Sequence, residues 1–235
     1  MNKVYYDIHI HSTLSACGDD LQTPNNILNM AMLKGLNMIS INDHNSLKHL
    51  PTFEKIISSY DFLFLYGCEV TVKEGFHVLT YFETLNKALQ FDEFLDLNNK
   101  KITHDEKRLG RQVICNEFDE ELETVKYTLN HPLEVDLNDI IKKVRDLNGI
   151  VIPAHINRGG SGILSVYQDL SMFDIDGIEI YGKENTKELQ DKYSLSKYKV
   201  IYDSDAHSLE IINERINYLE LEELSFKGFK KYLRG

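Results

Sequence analysis

Short apolar runs alternate with amphipathic helical stretches along the whole chain, and no other feature of the sequence restricts the fold so strongly. The runs at residues 4–10, 37–42, 61–70, 76–82, 149–155, 176–182 and 197–207 read as strands. The run at 61–70, DFLFLYGCEV, is apolar almost throughout, as expected of a strand covered on both faces. Between the strands, Thr23 and Pro24 mark a helix start that Gly35 closes. A helical segment runs through Phe53 and Ile57, and another from Leu85 to about Asn99. Asp136 caps a helix whose Ile140, Ile141, Val144 and Leu147 share one face, with Gly149 at its end, and residues 222–235 read as a last amphipathic helix. Residues 100–130, first polar and then acidic, read as an inserted loop or subdomain.

No Pro/Gly/Ser-rich linker and no repeat divides the 235 residues, a length comfortable for a single domain spanning 1–235. Strand–helix alternation implies a mostly parallel sheet covered by helices. About seven such units can close into a barrel, and an open doubly wound sheet is the alternative. The 42% hydrophobic content supplies a core. The net charge of −11, with no Lys/Arg-rich run, argues against phosphate-driven binding, so no duplex nucleic acid is expected as a partner. A nucleotide substrate stays open, because bound cations reverse the charge of a cleft. Cys17, Cys68 and Cys115 are widely spaced without a CxxC and read as free thiols of a reducing cytoplasm. No signal peptide or membrane-length apolar stretch is evident, nor an obligate protein partner, and a cytoplasmic location is expected.

Polar residues gather where the apolar runs end. DIHIH carries His9 and His11, and INDHN carries Asp43 and His44. GCEVT supplies Glu69, and GFHVL supplies His77. IPAHINR contributes His155 and Arg158, and YDSDAHS contributes Asp203, Asp205 and His207. In α/β folds, sites form at the C-terminal ends of strands. Residues i and i+2 of a strand share a face, so His9 and His11 point together. A lone HxH carries little weight among nine histidines; its repetition at several strand ends carries much more. Histidine plus carboxylate without a thiolate cluster suits Zn, Mn or Fe, and so many ligands suggest two or three divalent ions bridged by a carboxylate such as Glu69.

The set HxH…DHN…GxE…H…PAH…SDxH resembles the PHP (polymerase and histidinol phosphatase) domain family. The nearest likeness is to its stand-alone metal-dependent phosphoesterases, which include nucleoside 3′,5′-bisphosphate phosphatases. The resemblance covers nearly the whole chain and is weakest over 100–130. It implies a distorted (β/α)7 TIM-like barrel with a di- or trinuclear metal site at the C-terminal ends of the strands. Carried over by motif, the ligands are His9, His11, His44, Glu69, His77, His155, Asp205 and His207. The remaining acid is set by aligning DDLQTP on Pro24, which selects Asp19, with Asp20 as second candidate. A three-residue insertion, ACG, then precedes the acid and brings in Cys17.

The resemblance implies hydrolysis of a small, nucleotide-type phosphomonoester by a metal-bridging hydroxide. Arg158 is either a bidentate phosphate fork or a surface arginine. Asp205 and His207 are candidates for the leaving-group acid, and Asp43 for an orienting carboxylate or extra ligand. Asp7 and Asp203 are weighed as orienting or structural acids, His49 and His104 as solvated, and His131 as a loop residue. Three alternatives stand: a histidinol phosphatase, an amidohydrolase-type hydrolase, and a non-catalytic metal-binding module. No lysine stands at a strand end in the context an amidohydrolase needs.

Overall fold

The computed structural model describes residues 2–235. In chain order the elements are β1 (Asn2–Ile10), α1 (Pro24–Leu33), β2 (Met38–Ile41), α2 (Leu50–Ile57), β3 (Leu63–Thr71), β4 (His77–Phe82) and α3 (Leu85–Leu97). There follow α4 (Glu106–Leu109), β5 (Val113–Cys115), β6 (Glu121–Thr124), α5 (Leu137–Asp146) and β7 (Ile150–Pro153). The chain ends with β8 (Ile178–Glu179), α6 (Thr186–Tyr193), β9 (Val200–Ile201), β10 (Tyr218–Leu221) and α7 (Phe226–Arg234).

Six strands form one curled sheet in the order β10-β1-β2-β3-β4-β7. The short β8–β9 pair lies across its open side. It reaches β7 through the Asp176 N–H on the Val151 carbonyl, and β1 through the Ile10–Ala206 bridge. The result is a mixed α/β half-barrel, consistent with a TIM-like fold, but the sheet is less parallel than the alternation implies. β1, β2 and β3 pair in parallel, whereas β4 is antiparallel to both β3 and β7, and β10 is antiparallel to β1. Chain length explains the inversion of β4. Only residues 72–76 join it to β3, with Gly75 at φ +95°, and a parallel crossover needs a dozen residues or more.

The inversion positions the site. β4 begins with His77, paired with Thr71 at the C-terminal end of β3. His77 therefore reaches the common end from the start of its strand, whereas His9, Glu69 and His155 reach it from the ends of theirs. Leu65 and Glu69 share a face of β3, as Leu79, Tyr81 and His77 do on β4. Leu65, Leu79 and Tyr81 belong to an inner apolar layer with Tyr6, Ile8, Ile152 and Phe229, so the polar site lies directly above packed core. The β1–β2 register slips between Asp7 and Ile10, an irregularity of the kind that re-aims side chains beside a site.

Gly67 lies on β3 where no side chain fits. A Cβ there would stand 2.2 Å from Ser40 Oγ and 2.6 Å from Asn42 Nδ2, both in buried residues. Gly67→Ala is therefore expected to cost about 1–3 kcal/mol by overpacking, read as a lower denaturation midpoint. A midpoint equal to wild type would show that the β2–β3 layer has slack.

Residues 100–130 fold as α4 and the β5–β6 hairpin. Ile114, Val125 and Leu129 form a small core there with Leu14. The hairpin is tied to the barrel by the Val113 N–H on the Thr13 carbonyl and by the Thr52 hydroxyl on the Cys115 carbonyl, both at 2.8 Å. The sequence reading missed α6 and β10. β10 is four residues long with alternating exposure, and it gains its identity from pairing with β1. No helix among the described residues is long and apolar enough to cross a membrane.

Candidate metal centre

Glu69 is the hub. It is 1% exposed, and five imidazoles approach its carboxylate. His77 Nδ1 lies 2.8 Å from Oε1, His155 Nε2 3.0 Å and His9 Nε2 3.4 Å, while His44 Nδ1 and His11 Nε2 lie 3.0 and 3.3 Å from Oε2. Asp205 closes the ring, its Oδ1 standing 3.1 Å from His11 Nε2 and 3.3 Å from His9 Nε2. His207 stacks on His11 with centroids 4.3 Å apart. His155 and Asp205 hold positive φ, +26° and +52°. Backbone of this kind in non-glycine residues clusters at functional sites.

Neighbours fix which nitrogen of each ring faces the hub. His9 Nδ1 meets Glu179 Oε1 at 3.0 Å and donates to it, leaving Nε2 for the centre. The other Glu179 oxygen accepts the His155 N–H at 2.6 Å. His11 Nδ1 meets Ser15 Oγ at 2.9 Å, and His207 Nδ1 donates to the Asp205 carbonyl at 2.8 Å. Carboxylate or carbonyl partners of this kind orient ligating histidines.

The residues fit divalent ions. His9 Nε2, His44 Nδ1 and Glu69 Oε2 are buried and have no hydrogen-bond partner, an expensive arrangement unless something else binds them. Ligand atoms about 2.1 Å from a tetrahedral ion stand about 3.4 Å apart, close to the spacings around Glu69. Three groups are compact enough to ligate: His9, His11, Glu69 and Asp205; His44, Glu69 and His77; His11, His44 and His207. The first two share only Glu69, which has two oxygens to offer. The first and third compete for His11, whose Nδ1 is engaged by Ser15.

Without metal, the charges divide the histidines. Burial alone raises a carboxyl, but His77, His9 and His44 outweigh it and hold Glu69 well below the usual range. Burial opposes charge on His11, yet Asp205 and Glu69 prevail and raise it to about 9. Burial, together with charge on His11, lowers His207 to about 4. Metal uptake near neutral pH would displace protons from His11.

Arg158 stands at the mouth of a cavity of about 200 Å³ that Cys17, His44, His77, His155 and His207 also line. Its guanidinium pairs with Asp205 and lies 4.5 Å from the centre of the Tyr181 ring. Asp43 lies outside the ring of ligands. It accepts the Ser12 N–H and hydroxyl and the Ser15 hydroxyl, which makes it an orienting group. Asp7 and Asp203 brace the backbone: Asp7 accepts the N–H groups of Ser204 and Asn213, and Asp203 accepts that of Ile8.

The structure does not bring Asp19 or Asp20 to the others. Both are exposed, and Asp19 accepts the Leu21 N–H at 2.8 Å. Successive turns, Ser15 N–H to Ser12 O and Gly18 N–H to Ser15 O, take up the inserted residues and set Cys17, itself exposed, at the rim of the cavity instead. Its Sγ lies 3.3 Å from His44 Nε2. His49 and His104, expected in solvent, are buried at 0% and 9% exposure. His131 is a loop residue that hydrogen-bonds the Pro132 carbonyl. Sequence reasoning missed Glu179; its signal was a carboxylate between two isoleucines in the run GIEIYG.

No family model matches the chain. It is 27% identical over its full length to the uncharacterised protein YqxK of Bacillus subtilis, covering 63% of that protein. Its fold matches the lesion-specific endonuclease EndoQ of Pyrococcus furiosus, with TM-score 0.70 and 21% identity over 99% of this chain and 56% of that one. A two-domain Bacteroides vulgatus protein containing a predicted PHP-like metal-dependent phosphoesterase matches with TM-score 0.55 and 16% identity, over 99% of this chain and 63% of that one. The chain thus spans about three-fifths of the first relatives it matches. These likenesses show a fold shared with solved proteins that include a predicted PHP-like metal-dependent phosphoesterase, in line with the resemblance read from the motifs.

One expectation is overturned. Endonuclease Q, also solved in complex with a 27-mer duplex carrying an abasic lesion at its active site, matches this chain with TM-score 0.68. Net charge was a poor ground for setting duplex nucleic acid aside. It averages the whole surface, whereas an active site needs compensation only where phosphate enters.

Proposed function

We propose that this chain is a metal-dependent phosphoesterase acting on a phosphoester that carries a nucleobase. The observation that supports it most is Glu69 ringed by five imidazoles with Asp205 alongside, a ligand set with unpartnered buried atoms beneath a small open cavity. Two divalent ions would be held by the two compact groups that share only Glu69, namely His9, His11, Glu69 and Asp205, and His44, Glu69 and His77, with His207 and Cys17 beside them. Such ions, when bound, acidify water toward neutrality and offset charge on phosphoryl oxygens.

The chain's own residues do the rest. Arg158 presents a planar fork at the cavity mouth, suited to two phosphoryl oxygens. Asp205, its present partner, holds the guanidinium over the site. A cavity of about 200 Å³ has room for about six waters, enough for a phosphoryl group and a few neighbouring atoms. The remainder of the substrate must lie outside. Tyr181 waits there, 58% exposed, its backbone latched both ways to the Asn157 side chain at 2.8 and 2.9 Å. A rigid exposed aromatic ring next to an arginine suits base stacking. A nucleotide, a strand end or an unstacked nucleotide in a longer strand all meet these limits.

The test is a panel with Mn²⁺, Zn²⁺ or Fe²⁺: nucleoside bisphosphates, mononucleotides, single-stranded oligonucleotides, a duplex with an abasic lesion, histidinol phosphate and glycerol phosphate. Hydrolysis of base-bearing substrates is expected. Tyr181→Ala should raise KM for them by about 5- to 100-fold and leave glycerol phosphate unchanged. Bound metal without turnover anywhere on the panel would favour the non-catalytic module.

A further inference from the structure

We infer that His49, outside the ring of candidate ligands, holds His11 in position through a relay of two serines and Asp43, and so governs metal affinity at the centre proposed above. All four relay residues are buried, with exposures of 0% for His49 and Ser12, 1% for Ser15 and 2% for Asp43.

The direction of each hydrogen bond follows from the Cys115 N–H at one end and from the Asp43 carboxylate, which only accepts, in the middle. The Cys115 backbone N–H points at His49 Nε2 at 3.0 Å, and a backbone N–H only donates. His49 Nε2 is therefore the acceptor, and the ring's proton sits on Nδ1. That Nδ1–H donates to Ser12 Oγ at 2.7 Å. The Ser12 hydroxyl donates in turn to Asp43 Oδ2 at 2.5 Å. The other Asp43 oxygen receives the Ser15 hydroxyl at 2.7 Å, so Ser15 Oγ accepts the Nδ1–H of His11 at 2.9 Å. His11 is left with Nε2 toward Glu69 and Asp205, the nitrogen a metal needs. The opposite tautomer of His49 would set two N–H groups head to head.

The relay also gives the β5–β6 hairpin a role at the centre. Cys115 ends β5, so seating the hairpin on the barrel supplies the N–H that fixes His49. Partners that orient a metal-ligating histidine typically change affinity about 10- to 100-fold when removed. His49 is thus a positioning residue, acting through His11.

Two substitutions separate this role from simple packing. Asn at position 49 places an amide nitrogen near the Nδ1 site, keeping the donor to Ser12 and losing the acceptor for Cys115. Gln places an amide oxygen near the Nε2 site, keeping the acceptor and losing the donor. In competition titrations of Zn²⁺ against a chromophoric chelator, His49→Gln should bind about 10- to 100-fold more weakly than wild type. His49→Asn should stay within about threefold, whatever the thermal midpoints of the metal-free variants. Affinities that follow the midpoints in both variants, or wild-type affinity in His49→Gln, would overturn the relay. Should wild type take up no metal, the hydrolytic reading falls by itself. The relay is then decided by the His11 ring-nitrogen NMR signals at a pH where the ring is neutral, because the Nδ1–H signal should keep its wild-type shift in His49→Asn and move in His49→Gln.

Discussion

Glu69→Gln is expected to strip the centre of metal and stop hydrolysis while the barrel still folds. Gln keeps the shape of Glu69 and removes the charge that five imidazoles face. It also leaves no second anionic oxygen to serve a second ion. Removing one partner of a buried, paired charge typically costs about 3–5 kcal/mol, and a loss of that size in metal affinity would be about 10²- to 10⁴-fold. Metal content after dialysis and phosphate release measure the two effects, and the far-ultraviolet dichroism spectrum checks the fold. A variant that keeps wild-type metal content would remove Glu69 from the hub of the centre. In the metal-free protein, the substitution should also let His9 and His11 lose protons more readily, because Glu69 is one of the carboxylates that raise them.

The second large effect is acid lability traced to His49. Burial pushes this ring down to about 4 from an ordinary 6.5, and protonation would displace the Cys115 N–H from Nε2. A histidine depressed in the folded state favours the neutral form. Its contribution is therefore full above about pH 6.5 and is lost as pH falls toward 4. The span corresponds to about 3 kcal/mol. Asp7 works the other way over part of the same range. Burial raises it to about 6, so its contribution is full below its unfolded value of 3.8 and is lost as pH rises through about 6. The wild-type curve alone mixes these terms. The clean observable is the stability difference between wild type and His49→Asn in chelator. It should be largest near pH 7 and shrink by about 3 kcal/mol by pH 4. A difference that does not vary with pH would mean that His49 titrates normally.

Much of the candidate site was legible because its candidate ligands are local to strand ends. HxH, DHN, GxE, PAH and SDxH each place a His or acid within a few residues of an apolar run, and the structure gathers His9, His11, His44, Glu69, His77, His155, Asp205 and His207. Residues whose roles depend on distant partners were not legible. Glu179 looked like one polar residue in a strand, yet it orients His9, 170 positions away in sequence. His49 looked solvated in a polar stretch, and its partners Ser12 and Cys115 come from β1's loop and the hairpin. Asp19 was chosen by alignment on Pro24, but turn geometry between Ser12 and Gly18 decided that Cys17 faces the cavity.

The sequence by itself determined the alternation of strands and helices, the chemistry of the candidate ligands and the end of the strands where they gather. Hydrophobic periodicity and residue type act over a few positions, so they can be read from the chain alone. Tertiary structure decided the inversion of β4, the tautomers of His9, His11 and His49, and the placing of Cys17 rather than Asp19 at the cavity rim. Each of these depends on what lies opposite in space: a connection too short to cross over, a carboxylate facing a ring nitrogen, a turn that sets one side chain at the rim. Local pattern carries no record of such partners.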